Sequence, residues 1–324
     1  MAGRLARVTD PHALLTARAF AYVEEAKASS TRRAYRTAWG AFEAWCAAQE
    51  FAALPADPST VALYIAYLAD EGLAVSTIGK VLAAIADAHR TRGLAWLRGA
   101  PAVNLTMSGI RRKLGVAPHQ KTPVRDRELR AMVATLEPAD GQAWSLTALR
   151  DRALLTLGWS GMFRRSELVS LGVRDIRRVR EGLIVTLRRS KTDQTGKGRE
   201  KGIPYAADPD LCPVRALEAW LVAAKITEGP IFRAVNRHGQ VSKRALSDRS
   251  VADIVKRVAR AAGLDDGDYS GHSVRAGAAS TAAENGRSLS AIMKVGGWTS
   301  ERVVVERYIR HANLFVDHAT KGLI

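Results

Sequence analysis

The sequence predicts a mainly α protein in two parts, a helical bundle followed by an α+β domain with a small antiparallel sheet. Three observations carry that expectation. Apolar residues recur at helical spacing through most of residues 1–114. Residues 115–124, Gly-Val-Ala-Pro-His-Gln-Lys-Thr-Pro-Val, lack periodicity, hold two prolines and read as a linker. Within residues 125–324, the β-branched run Leu183-Ile-Val-Thr-Leu187 is followed by Gly202-Ile-Pro-Tyr205, which can return as its hairpin partner. A chain of 324 residues is long enough to give two such domains real cores.

Taken in order, residues 11–27 form an alanine-rich helix candidate, and Thr31–Ala48 a stronger one with Tyr35, Ala38, Trp39, Phe42 and Cys46 as its apolar stripe. Asp57-Pro58 supplies an N-cap and a first-turn proline for a helix that ends near Gly72. Ser76 can cap the next, which runs to Gly93, and a fourth spans about 103–114. In the second part, helices are expected over Leu146–Trp159, 213–225 and 248–262, then from the 270s to the segment that carries Tyr308.

The formal charge is +17 and the pI near 10.4, with arginine in excess. Guanidinium groups match phosphate geometry, so nucleic acid is the favoured partner. An anionic membrane surface comes second, and no apolar run is long enough to span a membrane. Two distant cysteines, Cys46 and Cys212, give neither metal spacing nor a disulfide framework. With no signal-peptide core, this fits a cytoplasmic protein. Arg32, Arg33 and Arg36 crowd a helix start, where their charge opposes the helix dipole. An external anion would relieve that conflict; a solvated basic face is the alternative. Ser76, Thr77, Lys80 and Arg90, and the helix end Arg111-Arg112-Lys113, are further candidates for DNA contact. So are Arg189, Lys197, Arg199 and Lys201 around the hairpin.

The stretch Ser270-Gly-His-Ser-Val-Arg-Ala-Gly-Ala-Ala279 concentrates chemistry. His272 and Arg275 lie three apart at an expected helix start, where free backbone N–H groups also suit an anion. Arg164-Arg165-Ser166-Glu167 follows a buried helix, and Glu167 is placed to hold one arginine toward an anion. Lys191 sits where strand meets hairpin loop. Trp298 follows two glycines, and Tyr308 is the only tyrosine after Tyr269. Singly, each of these residues suits a structural role.

Together, Arg164 with Glu167, Lys191 in Ser-Lys-Thr, His272-x-x-Arg275, Gly-Gly-Trp298 and Tyr308-Ile-Arg stand in an order that resembles the tyrosine site-specific recombinases of the phage integrase family, most closely the Cre-like subgroup. The resemblance extends over nearly the whole chain. It implies a SAM-like core DNA-binding domain over 1–114 and a catalytic domain over 125–324, together forming a C-shaped clamp, with a C-terminal helix that docks on a neighbouring protomer. It implies a nucleophile at Tyr308 and a 3′-phosphotyrosyl intermediate, with Arg164 and Arg275 on the phosphate. His272 and Trp298 would assist, Glu167 would orient its neighbours and Lys191 would act as general acid. No metal, ATP or other cofactor is implied. The partners implied are double-stranded DNA with an inverted-repeat site and a homotetramer spanning two such sites through a Holliday junction. A type IB topoisomerase, a telomere resolvase and a non-catalytic DNA-binding protein on the same fold are the alternatives. Trp298 and Tyr308 are ten residues apart, one more than the family pattern, which predicts a local change before the tyrosine.

Overall fold

The computed structural model describes residues 27–95, 99–116, 120–139, 142–188 and 198–309, with His12, Leu15, Thr16, Arg18 and Tyr22 besides. The chain divides into two compact units, Met1–His119 and Gln120–Ile324. No helix among the described residues is long and apolar enough to cross a membrane.

The first unit packs α1 (Ser29–Ala48), α2 (Pro58–Asp70), α3 (Val75–Thr91) and α4 (Pro101–Leu114) around Phe42, Cys46, Tyr64, Ile65, Ile78, Ile85 and Met107. Asp57 caps α2 by accepting from the Ser59 N–H, as its spacing predicts. Ser76 does not cap α3. That position falls to Ala74, and Ser76 lies exposed inside the first turn, because the helix starts two residues earlier than expected. His89 is buried on α3. Its Nε2 accepts from the Ala56 N–H and its Nδ1 bonds the Ile85 carbonyl, each at 2.9 Å, which ties the α1–α2 connection to α3.

The second unit contains α5 (Asp126–Ala134), α6 (Leu146–Ser160), the short α7 (Arg165–Ser170) and a three-stranded antiparallel sheet. Its strands β1 (Ile176–Val179), β2 (Gly182–Leu187) and β3 (Arg199–Pro204) lie in chain order. After these come α8 (Pro213–Ala223), the hairpin β4 (Arg233–Val235) and β5 (Val241–Ala245), α9 (Asp248–Ala261), α10 (Ser273–Glu284), α11 (Leu289–Gly296) and α12 (Glu301–Val304). Sequence periodicity misses β1, β4 and β5, which are short and arginine-bearing. It also starts β3 three residues late.

The helix α10 organises this unit. Its residues are mostly Ala, Ser and Gly, and most are buried, so neighbouring segments approach its backbone closely. Gly277 is the extreme case: a Cβ there would stand 1.6 Å from the Val124 carbonyl oxygen. That segment belongs to residues 115–124, but it is not a free linker. Val124 is fully buried, its N–H donates to the Ser273 carbonyl, and its carbonyl accepts from the Trp159 indole at 3.0 Å. Pro123 and the lack of periodicity hide this docking from the sequence.

A candidate active site around Arg275 and Tyr308

The turn that ends α6 is the foundation of the site. The Gly161 and Met162 N–H groups cap the helix by donating to the Leu157 and Trp159 carbonyls. Met162 takes φ 46°, in the left-handed region that a residue with a side chain seldom occupies. The two carbonyls of this turn therefore face away from α6, and two buried cations take them. Arg275 donates to the Met162 carbonyl at 2.5 Å, and Lys201 donates to the Gly161 carbonyl at 2.5 Å and lies 3.5 Å from that of Met162.

Glu167 holds Arg164 from both ends. Its carboxylate accepts from the Arg164 backbone N–H at 2.9 Å and from the guanidinium at 2.5 Å. The carboxylate is buried, and the Arg164 side chain is 18% exposed. Arg275, from the first turn of α10, is only 1% exposed. Burial, with Arg164 nearby, lowers its pKa to about 10, so it stays protonated at neutrality. Its Nη2 is buried and has no hydrogen-bond partner among the described residues. One carboxylate, Glu167, thus faces four cations: Arg164, Arg199, Lys201 and Arg275. Such an excess at a largely dry site calls for an anion.

The aromatic side lies opposite. The Trp298 ring covers the Arg275 guanidinium, with Cζ 4.1 Å from the ring centroid, and packs on Tyr308 at 5.1 Å. Both glycines before Trp298 are required by contact. A Cβ on Gly296 would strike the indole, and Gly297 takes φ 72° beneath the Arg199 guanidinium. The Tyr308 hydroxyl lies 3.0 Å from His272 Nε2, and the tyrosine is buried although the histidine is exposed. The extra residue between Trp298 and Tyr308 is absorbed by a π-helical turn, Val305–Ile309, which adds one residue to a helical turn and still brings the hydroxyl onto His272.

The structure therefore gathers Arg164, Glu167, His272, Arg275, Trp298 and Tyr308 at one place. Lys191, Arg189 and Lys197 lie outside the described residues. Arg33, Arg36, Ser76, Thr77, Lys80, Arg90, Arg111, Arg112 and Lys113 are exposed on the first unit, and Arg32 is half-buried. Arg199 and Lys201, two of the candidates for DNA contact, are drawn in from the surface. Arg199 is half-buried against Gly297, with an Nη2 that has no partner among the described residues. Lys201 is 3% exposed, over the Phe163 ring. The signal that could have found them is strand alternation: residues 199, 201 and 203 share one face of β3, and Ile203 is core.

Burial lowers the Lys201 pKa from 10.5 to about 7, with Glu167 opposing and Arg199, Arg275 and Arg164 reinforcing the shift. Between these two values the unfolded chain binds more protons at this lysine than the folded one, so the fold gains stability as pH rises. Relative to Lys201→Met, the wild-type thermal midpoint should be higher at about pH 9 than at about pH 7. Equal offsets at the two pH values would show that the shift is absent.

Residues 124–314 match the Phage integrase family. The chain is 38% identical to an integrase/recombinase xerD homolog of Selenomonas ruminantium, over 92% of this chain and 86% of that one. It is 29% identical to recombinase cre of Escherichia phage P1, over 83% and 80%. In fold it is similar to the XerH site-specific recombinase bound to palindromic difH substrate in a post-cleavage complex. That match has a TM-score of 0.60 at 16% identity and covers 82% of this chain and 72% of that one. It is similar also to the Tn1549 transposon integrase in complex with a circular intermediate DNA, with a TM-score of 0.55 at 12% identity, over 78% and 81%. The chain belongs to the phage integrase family and is a site-specific tyrosine recombinase, an enzyme that transfers DNA strands.

Proposed function

We propose that Tyr308 attacks a DNA phosphodiester to give a 3′-phosphotyrosyl link and a free 5′-hydroxyl, and that the same site reverses the step on a second strand. The observation that carries this reading is the Tyr308 hydroxyl on His272 Nε2, beside a buried Arg275 with an unspent Nη2. His272 takes the tyrosine proton. Arg164 and Arg275 stabilise the charge that grows on the non-bridging oxygens. Glu167 aims Arg164, and Trp298 holds the Arg275 plane. Lys191 protonates the departing 5′-oxygen. The covalent link conserves the phosphodiester energy, so neither ATP nor a metal is required.

On this reading residues 1–114 are the core DNA-binding domain, 115–124 connect it to the catalytic domain, and the enzyme works in the cytoplasm on the nucleoid. Four protomers hold two DNA sites, each an inverted repeat around a short spacer, and exchange strands through a Holliday junction. Residues 311–324, outside the described residues, dock on a neighbouring protomer. The test is covalent capture. Wild-type protein is mixed with a randomised duplex pool, denatured in detergent and recovered with its attached DNA. Recovered duplexes that share an inverted repeat support the reading, and the absence of any covalent species overturns it.

Binding to the captured duplex should weaken by about 10³-fold or more between about 50 and about 200 mM salt, because a strongly basic chain displaces many counterions. A nearly flat dependence would remove the extended phosphate contact that this reading requires.

A further inference from the structure

We infer that Lys201 is a positioning residue of this site: its ammonium fixes the Gly161–Met162 turn, and through the shared Met162 carbonyl it sets the angle at which Arg275 faces the phosphate. The inference rests on the proposed reading of the site and adds a residue to it. Lys201 comes from β3, Arg275 from α10 and the turn from the end of α6, so three separate elements meet at two carbonyl oxygens. Met162 is left-handed without being glycine, a conformation that persists only where its surroundings hold it. The capping bonds made by this turn hold its N–H side, and the two cations hold its carbonyl side. Lys201 is itself enclosed. The Phe163 ring lies 4.3 Å from Nζ, and Lys201 pairs with Val185 across the sheet.

Its neighbours argue against a simple structural counter-ion. Glu167 is committed to Arg164 through both carboxylate oxygens. The remaining charged groups facing Lys201 are Arg164, Arg199 and Arg275, all of its own sign. A buried ammonium in such company disfavours its charged form, so a cation placed here for stability alone would be a poor choice. For the same reason Lys201→Met, apolar and of similar length, should leave the fold intact.

Cleavage of the captured duplex is measured as a single-turnover rate at saturating protein, for wild type, Lys201→Met, Lys201→Gln, Lys191→Ala and Arg275→Ala, and for Lys201→Met combined with Arg275→Ala. Each protein is tested on normal DNA and on DNA with sulfur at the bridging 5′ position. Lys201→Met and Lys201→Gln should bind DNA as wild type does and cleave on the order of 10²-fold more slowly, the cost of a small misplacement at the reacting centre. Because Lys201 acts through Arg275, its loss should add little in the Arg275→Ala background. Sulfur should not rescue the Lys201 variants, since a thiolate that leaves unprotonated does nothing for a misaligned arginine, whereas it should rescue Lys191→Ala.

Sulfur rescue of Lys201→Met would make Lys201 the proton donor and overturn the positioning role. Full additivity with Arg275→Ala, or unchanged cleavage by both Lys201 variants, would overturn it as well. Failure of the underlying reading looks different: wild-type protein would then form no covalent species on either DNA.

Discussion

Tyr308→Phe is expected to abolish covalent capture while leaving DNA affinity within about fivefold of wild type, the scale of a single hydrogen bond. The phenyl ring keeps the contact with Trp298 and the burial that packs the π turn against α10, so the site should assemble normally. What is lost is the oxygen that sits on His272. Tyr269, the nearest tyrosine in the sequence, is not placed to replace it. Tyr269 is buried in the main core of the catalytic unit, among Leu and Val side chains, and its hydroxyl is pushed toward a higher pKa by that burial. The readout is the fraction of labelled duplex that migrates with the protein after denaturation. Any covalent fraction above the level of a protein-free control would contradict the assignment.

Arg275→Ala should slow cleavage by about 10³-fold at saturating protein, the upper end of what removal of one oxyanion donor costs. Several losses coincide. The phosphate would lose the Nη2 donor in a water-poor site, the Met162 carbonyl loses its 2.5 Å donor, and the Trp298 ring loses the cation it covers. Arg275→Lys should recover only a small part, because an ammonium offers a point charge where the site is built for a planar, two-pronged donor. Single-turnover rates for the three proteins check this. A lysine variant that cleaves as fast as wild type would show that charge alone is needed and that the guanidinium plane under Trp298 is incidental.

The residues gathered at the candidate site were legible in the sequence through their order along the chain. An arginine pair straight after an apolar helix, a His-x-x-Arg at a helix start and a tyrosine beyond a glycine-tryptophan turn each suit a structural role singly, and it is their order that joins them. The second layer was not legible. Lys201 precedes the stretch Gly202–Tyr205 that reads as the return strand, so it was taken only as a candidate for DNA contact, and extending the strand back to Arg199 is what turns it inward. Val124 was hidden in the same way by its prolyl neighbour. The ten-residue step from Trp298 to Tyr308 pointed to a local change but not to its form. A π turn is a matter of backbone hydrogen bonding, which no side-chain pattern in Val-Val-Val-Glu-Arg-Tyr announces. In the first unit the helices were legible from their apolar stripes. The bond from the Ala56 N–H to the buried His89 was not, because its partners lie 33 positions apart.

The measurement that tests the account most directly is the identity of the residue that carries the DNA. The covalent species formed by wild-type protein on the captured duplex can be digested with nuclease and protease, and the modified peptide sequenced by mass spectrometry. We expect a single peptide, with the nucleotide remnant attached through its 3′-phosphate to the Tyr308 oxygen. A remnant on Tyr269, on a serine, or joined through a 5′-phosphate would contradict the assignment of Tyr308, His272 and Arg275 as the reacting centre.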